Sequence, residues 1–114
     1  MASAAGRRPD RVAIIWCFLG GLAVSPALSA TAPMIRQSQT MFSVRTVDIR
    51  RGDTLQFTNE DPFLHHVFVE SPQFRFDSGE QRPGNTVEIL FDRAGSFTVQ
   101  CAIHLKMRLA VTVR

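Results

Sequence analysis

Cys101, His104 and Met107 set a thiolate, an imidazole and a thioether three residues apart on one stretch, Cys101-Ala102-Ile103-His104-Leu105-Lys106-Met107. Soft and borderline donors at that spacing point to copper, because electron-transfer copper sites join two imidazoles and one thiolate in a trigonal set with a long, weak axial Met. The stretch lacks one imidazole, and His65 can supply it. Taken singly, the residues describe a buried thiol, a surface imidazole and a core Met. Their joint spacing favours the metal. Zinc competes, with Cys101, His65, His66 and His104 as a tetrahedral set. It ranks second, since adjacent His65 and His66 project to opposite faces of a strand and zinc leaves Met107 without a role.

These side chains meet only if the right elements carry them. From residue 34 onward no helical period of useful length occurs, and short alternating segments separated by turn residues give the all-β sandwich or barrel pattern. Residues 34–42 hold a weakly marked first strand. Val47 and Ile49 alternate with Thr46 and Asp48, residues 50–53 turn, and residues 54–58 put Leu55 and Phe57 on one face. The run 59–62, ending in Pro62, breaks that strand. His65, Val67 and Val69 then share one parity, with His66 and Phe68 on the other. Residues 71–84 form a long loop holding one short strand at 74–76. Residues 86–91 are a strand with Val87, Ile89 and Phe91 inward, and residues 93–95 turn the chain. Phe97, Val99 and Cys101 share a face, as do Met107, Leu109, Val111 and Val113. His65, Cys101 and Met107 are therefore expected at strand ends in phase with one core, with His104 reaching in from the connecting loop.

The first thirty residues belong to a different object. Arg7, Arg8 and Arg11 precede an apolar run at 12–24, and small residues follow at Ser25, Ala27, Ser29 and Ala30. This is the pattern of a signal peptide over 1–30, cleaved near Ala30 or Ala32, which leaves a domain at 31–114 in the bacterial periplasm. The apolar run falls short of the about 20 residues of a membrane-spanning helix, so no stable membrane insertion is expected after cleavage. Arg7-Arg8 matches a twin-arginine export signal poorly. The leader takes three of thirteen basic residues and one of ten acids with it, so ten cations and nine anions remain, a net charge of +1. No basic stripe is left for nucleic acid. Cys17 also leaves, which rules out an internal disulfide and makes Cys101 a lone thiol in an oxidising compartment. A domain this small usually needs a staple, and a metal can be one.

Residues 42–114 resemble the cupredoxin (type 1 blue copper) family in its amicyanin- and plastocyanin-like branch. The carriers are Gly52-Asp53-Thr54, Asn59 to His65 followed by Val67, Phe76-Asp77-Ser78-Gly79, Pro83-Gly84, Gly95-Ser96-Phe97 and above all the Cys101, His104 and Met107 spacing. The resemblance implies an antiparallel Greek-key β-sandwich. It also implies one copper ion held by His65, Cys101, His104 and an axial Met107. The chain departs from the family at His66, where Asn often ties the two ligand loops, and at Ile103 and Leu105, where amicyanin-like loops carry prolines. It has no Tyr, so the aromatic of the thiolate strand is Phe97.

The leading expectation is a monomeric one-electron carrier cycling Cu(II) and Cu(I), and not an enzyme. Redox partners would dock near His104, Leu105 and Phe63, with Pro62 and Leu64 as further candidates for an apolar rim; Phe63 and Leu64 read equally well as core residues. The alternative is a periplasmic copper chaperone or copper-resistance protein using the same ligands; a third reading is a β-sandwich with a degenerate site. An oxidase or nitrite reductase is disfavoured, because only His66 remains for a second copper. Met34 and Met41 suggest a second copper site on a flexible segment but, without neighbouring ligands, are read as packing residues; Arg50 and Arg51 are read as solvated turn residues, and His66 as a surface or supporting imidazole.

Overall fold

The computed structural model describes residues 32–114; the leader expected at 1–30, with its paired arginines and Cys17, lies outside them. The described residues contain nine strands and no helix: β1 (Met34–Ser38), β2 (Met41–Phe42), β3 (Thr46–Ile49), β4 (Thr54–Asn59), β5 (Val67–Glu70), β6 (Arg75–Asp77), β7 (Thr86–Leu90), β8 (Gly95–Cys101) and β9 (Arg108–Val113). They build two sheets, ordered β2-β1-β4-β7 and β3-β9-β8-β5-β6. No helix among the described residues is long and apolar enough to cross a membrane.

Alternation places the core. Leu55 and Phe57 of β4 and Ile89 of β7 come from the first sheet, and Val67, Val69, Val99, Leu109 and Val111 come from the second. Each large apolar side chain so buried contributes about 1.5–3 kcal/mol. The two inner faces close on one cluster that also holds Cys101 and Met107, so the candidate ligand loop starts and ends in the core. Phe74, Phe91 and Phe97 pack together in that cluster, with ring centroids 5.2 to 6.1 Å apart.

Two features differ from the sequence reading. The weak strand at 34–42 is a hairpin, β1 and β2, joined through Gln39 and Thr40, both at φ +55°. Non-glycine residues seldom adopt that conformation, and neither residue type signals it. The sheets are also mixed, not purely antiparallel: β1 pairs with β4 in parallel, and β3 with β9 in parallel. The chain changes sheets between β2 and β3 and again between β3 and β4, so β1 and β4, and β3 and β9, are sheet neighbours without being sequence neighbours and need not alternate in direction.

Gly95 opens β8 at φ +144°, and a Cβ there would stand 3.3 Å from the Phe97 ring. Gly95→Ala is therefore expected to lower stability by about 1–3 kcal/mol. A urea midpoint equal to that of the parent protein would refute this.

Candidate metal centre

His65 lies between β4 and β5, two residues before β5 begins, and holds its place through a single bridge to Gln81. His65 N–H donates to the Gln81 carbonyl at 3.0 Å and Gln81 N–H to the His65 carbonyl at 2.7 Å. Cys101 ends β8 opposite Val67. Both side chains are fully buried. His104 sits half-buried in the loop between β8 and β9, and its carbonyl accepts from Met107 N–H at 3.0 Å. Met107, 2% exposed, immediately precedes β9. Parity places Cys101 and Met107 on the core side, as read from the sequence, and the fold brings His65, Cys101 and His104 together.

Cys101 Sγ stands 3.6 Å from His65 Nδ1 and 3.8 Å from His104 Nδ1. One ligand atom from each of the three residues lies within 4.8 Å of the others, and the imidazole centroids are 5.0 Å apart. Bonds of about 2.3 Å to sulfur and 2.0 Å to nitrogen, opened to a trigonal angle, put sulfur and nitrogen about 3.7 Å apart. The observed spacing matches a shared ion. Sequence alone could not show that separation.

Protonation of His65 follows from its other nitrogen. Nε2 meets Asp61 Oδ2 at 2.8 Å, and an ionised carboxylate can only accept, so Nε2 carries the proton and Nδ1 turns its lone pair toward Cys101. Burial pushes the Asp61 carboxyl up, but hydrogen bonds from His65, Thr40 and Gln39 outweigh it and hold the group below its ordinary range. The backbone N–H groups of Gln39 and Thr40 donate to its two oxygens at 2.6 and 3.1 Å. One carboxylate therefore clamps the unusual β1–β2 turn and orients a candidate ligand. The sequence reading passed over Asp61 as part of a strand break; its place four residues before His65 was the available signal.

A buried amide network supports this end of the sandwich. Asn59 Oδ1 accepts from Asp61 N–H at 2.9 Å, and its Nδ2 donates to the carbonyls of Phe63 and Gln81. Gln37 Nε2 donates to Gln81 Oε1 at 2.7 Å, and Gln81 Nε2 to the carbonyls of Phe57 and Asn85. Gln37 and Gln81 carry no local signal for this pairing, which joins residues far apart in the chain.

His66 is not in the cluster. Its Nε2 meets Asp77 Oδ1 at 2.6 Å, so the four-ligand zinc set does not assemble. The Asp77 carboxyl is held low by Gly79 N–H and then by His66. Ala102 N–H donates to the His66 carbonyl at 2.8 Å, a backbone bond between the segments that carry His65 and Cys101. Phe63 is 40% exposed with its ring 5.2 Å from that of His104, and Leu105 is 69% exposed. Met34 and Met41 are exposed, which corrects their reading as packing residues: they sit on β1 and β2 at one side of the first sheet, with no described residue burying their outward faces.

No family model matches the chain. Among solved structures it is similar to a mutant of amicyanin in the Cu(I) form, at TM-score 0.68 and 17% identity over 76% of this chain and 86% of that one. Amicyanin from Paracoccus versutus (Thiobacillus versutus) gives TM-score 0.68 and 23% identity, over 76% and 85%. A Cu-containing nitrite reductase from Thermus scotoductus SA-01 gives TM-score 0.68 and 24% identity, over 82% of this chain and 25% of that one. The fold is a cupredoxin-like β-sandwich.

Proposed function

We propose that this protein is a periplasmic type 1 copper protein that carries single electrons, with one copper ion held by His65, Cys101, His104 and, as the axial ligand, Met107. The observation that carries the reading is the convergence of Cys101 Sγ with the two imidazole Nδ1 atoms at 3.6 and 3.8 Å, one of them with its tautomer set by Asp61. Copper bound there supplies one-electron exchange between Cu(II) and Cu(I). The chain supplies a cage: Cys101 and His65 are closed off by the core, and the backbone bond from Ala102 to His66 ties the two ligand loops together. His104 is the least buried of the three, and with exposed Phe63 and Leu105 it makes the face where a redox partner docks. On this reading the working unit is residues 31–114 after removal of the leader, acting as a monomer without enzymatic turnover.

Addition of Cu(II) is expected to give one copper per chain with an intense thiolate-to-copper band, read by visible and EPR spectroscopy. Stoichiometric copper without that band would remove the assignment. The melting temperature should rise as well, since a ligand bound at about a hundred times its Kd stabilises the native state by about 2.7 kcal/mol. Met107→Leu should keep the band and raise the reduction potential, because losing a thioether donor weakens Cu(II) more than Cu(I). An unchanged potential in voltammetry would take Met107 out of the ligand set.

A further inference from the structure

A groove of about 480 Å³ runs beside the ligand loop, between the β2–β3 connection and the start of β9. Its walls carry Arg45, Lys106 and Arg108 with Met41 and Val44, and buried Met107 lies on its floor. No carboxylate among the described residues lines it. The ion pairs among the described residues go to Arg36, Arg114, His65 and His66, so none engages these three cations. A second, smaller depression shares Lys106 and holds His104. The cationic groove therefore adjoins the half-buried His104 imidazole and is lined in part by the proposed axial ligand.

We infer that this groove docks an acidic segment of a partner protein, one carrying carboxylates interleaved with apolar side chains. On the electron-carrier reading above, that partner is the redox partner. Two guanidinium forks and an ammonium match carboxylates, with guanidinium able to bind them two-pronged. Met41, 60% exposed, and Val44, 42% exposed, reward apolar neighbours of those carboxylates. The volume exceeds what one small anion fills. A polyanion such as nucleic acid is not favoured, since ten cations against nine anions over residues 31–114 make no broad positive field. The local concentration of cations steers a negatively charged partner toward the His104 end and raises its encounter rate.

The test titrates the full-length chain, metal-free and again with Cu(I), with the peptide acetyl-Glu-Leu-Asp-Glu-Leu-Asp-amide while recording amide NMR shifts. Saturable shifts are expected at Met41, Val44, Arg45, Lys106 and Arg108. The affinity should fall about tenfold between about 20 and 200 mM salt, as the screening length shortens. Arg45→Glu with Arg108→Glu should abolish the shifts. If that double variant loses amide dispersion, Lys106→Glu on the exposed loop is read in the same way. Any of four results overturns the inference: no saturable shifts, equal binding of the Gln and Asn counterpart peptide, equal binding of inorganic phosphate at the same amides, or displacement of the peptide by a thymidine decanucleotide. The copper reading is separable, because the metal-free titration stands even if no blue spectrum forms. A copper-loaded chain that ignores the peptide loses this groove as a docking site and keeps its metal.

Discussion

Cys101→Ser protein mixed with Cu(II) is expected to show no intense visible band, while its strand content stays that of the parent. The band depends on charge transfer from a thiolate to copper, and a hydroxyl is a far poorer electron donor that stays protonated at neutral pH. The fold should survive because Cys101 is a single small, fully buried side chain at the end of β8. Its loss as a packing group costs about 1 kcal/mol, set against the 5–15 kcal/mol of a typical domain. Copper affinity should drop with the colour, leaving two imidazoles and a thioether. Far-ultraviolet circular dichroism and visible absorption on the same sample separate the two effects. An intact band in the serine protein would mean that the chromophore is not built on Cys101.

Asp61→Asn is expected to be the most damaging substitution outside the ligand set. Asp61 Oδ1 accepts from Gln39 N–H, and Oδ2 accepts from Thr40 N–H and His65 Nε2. An amide can present only one oxygen. Whichever way it turns, an NH₂ group faces an N–H donor, and leaving a buried donor such as His65 Nε2 without an acceptor costs about 1–3 kcal/mol. With the NH₂ toward His65, the ring can satisfy it only by moving its proton to Nδ1, the atom that faces Cys101 at 3.6 Å. Nitrogen-15 NMR of the metal-free protein should then show the opposite tautomer for His65, and copper affinity should fall about 10–100-fold. A parental tautomer together with parental stability would show that Asp61 orients nothing.

The same carboxylate gives a pH signature. Its folded pKa lies below its ordinary value, so its stabilisation is fully present above the unfolded pKa, about 3.9. That stabilisation is lost as the pH falls through the depressed folded value. The stability gap between the parent and Asp61→Asn, measured by urea unfolding of the metal-free proteins, should be constant near neutrality and narrow below about pH 4. A gap that widened with acid would contradict the sign.

Several parts of this molecule were legible in the chain of letters. Period-two patterning around Leu55 and Phe57, Phe97 to Cys101, and Leu109 to Val113 specifies inward and outward faces, because successive side chains in a strand point to opposite sides. It also placed Cys101 and Met107 on the core side. The three-residue spacing of Cys101, His104 and Met107 named a chemistry, since ligand softness is a property of residue type and not of fold. His65 was legible by parity with Val67 and Val69, although β5 starts only at Val67.

What the tertiary structure alone decided is where groups distant in sequence meet. Asp61 became a support only when the β1–β2 turn was folded over it, and that turn's two positive φ values answer to a carboxylate 21 and 22 residues away, not to glycine. Gln37 and Gln81 form a buried pair across 44 residues, and neither shows this need locally, because a buried amide is defined by its partner. The parallel pairing of β1 with β4 and of β3 with β9 follows from changes of sheet, not from any residue pattern within a strand. The gathering of Arg45, Lys106 and Arg108 into one groove is of the same kind. Charge and hydrophobic period act along the chain and can be read from it, whereas contact energies fall off within a few ångströms and depend on which segments the fold brings together.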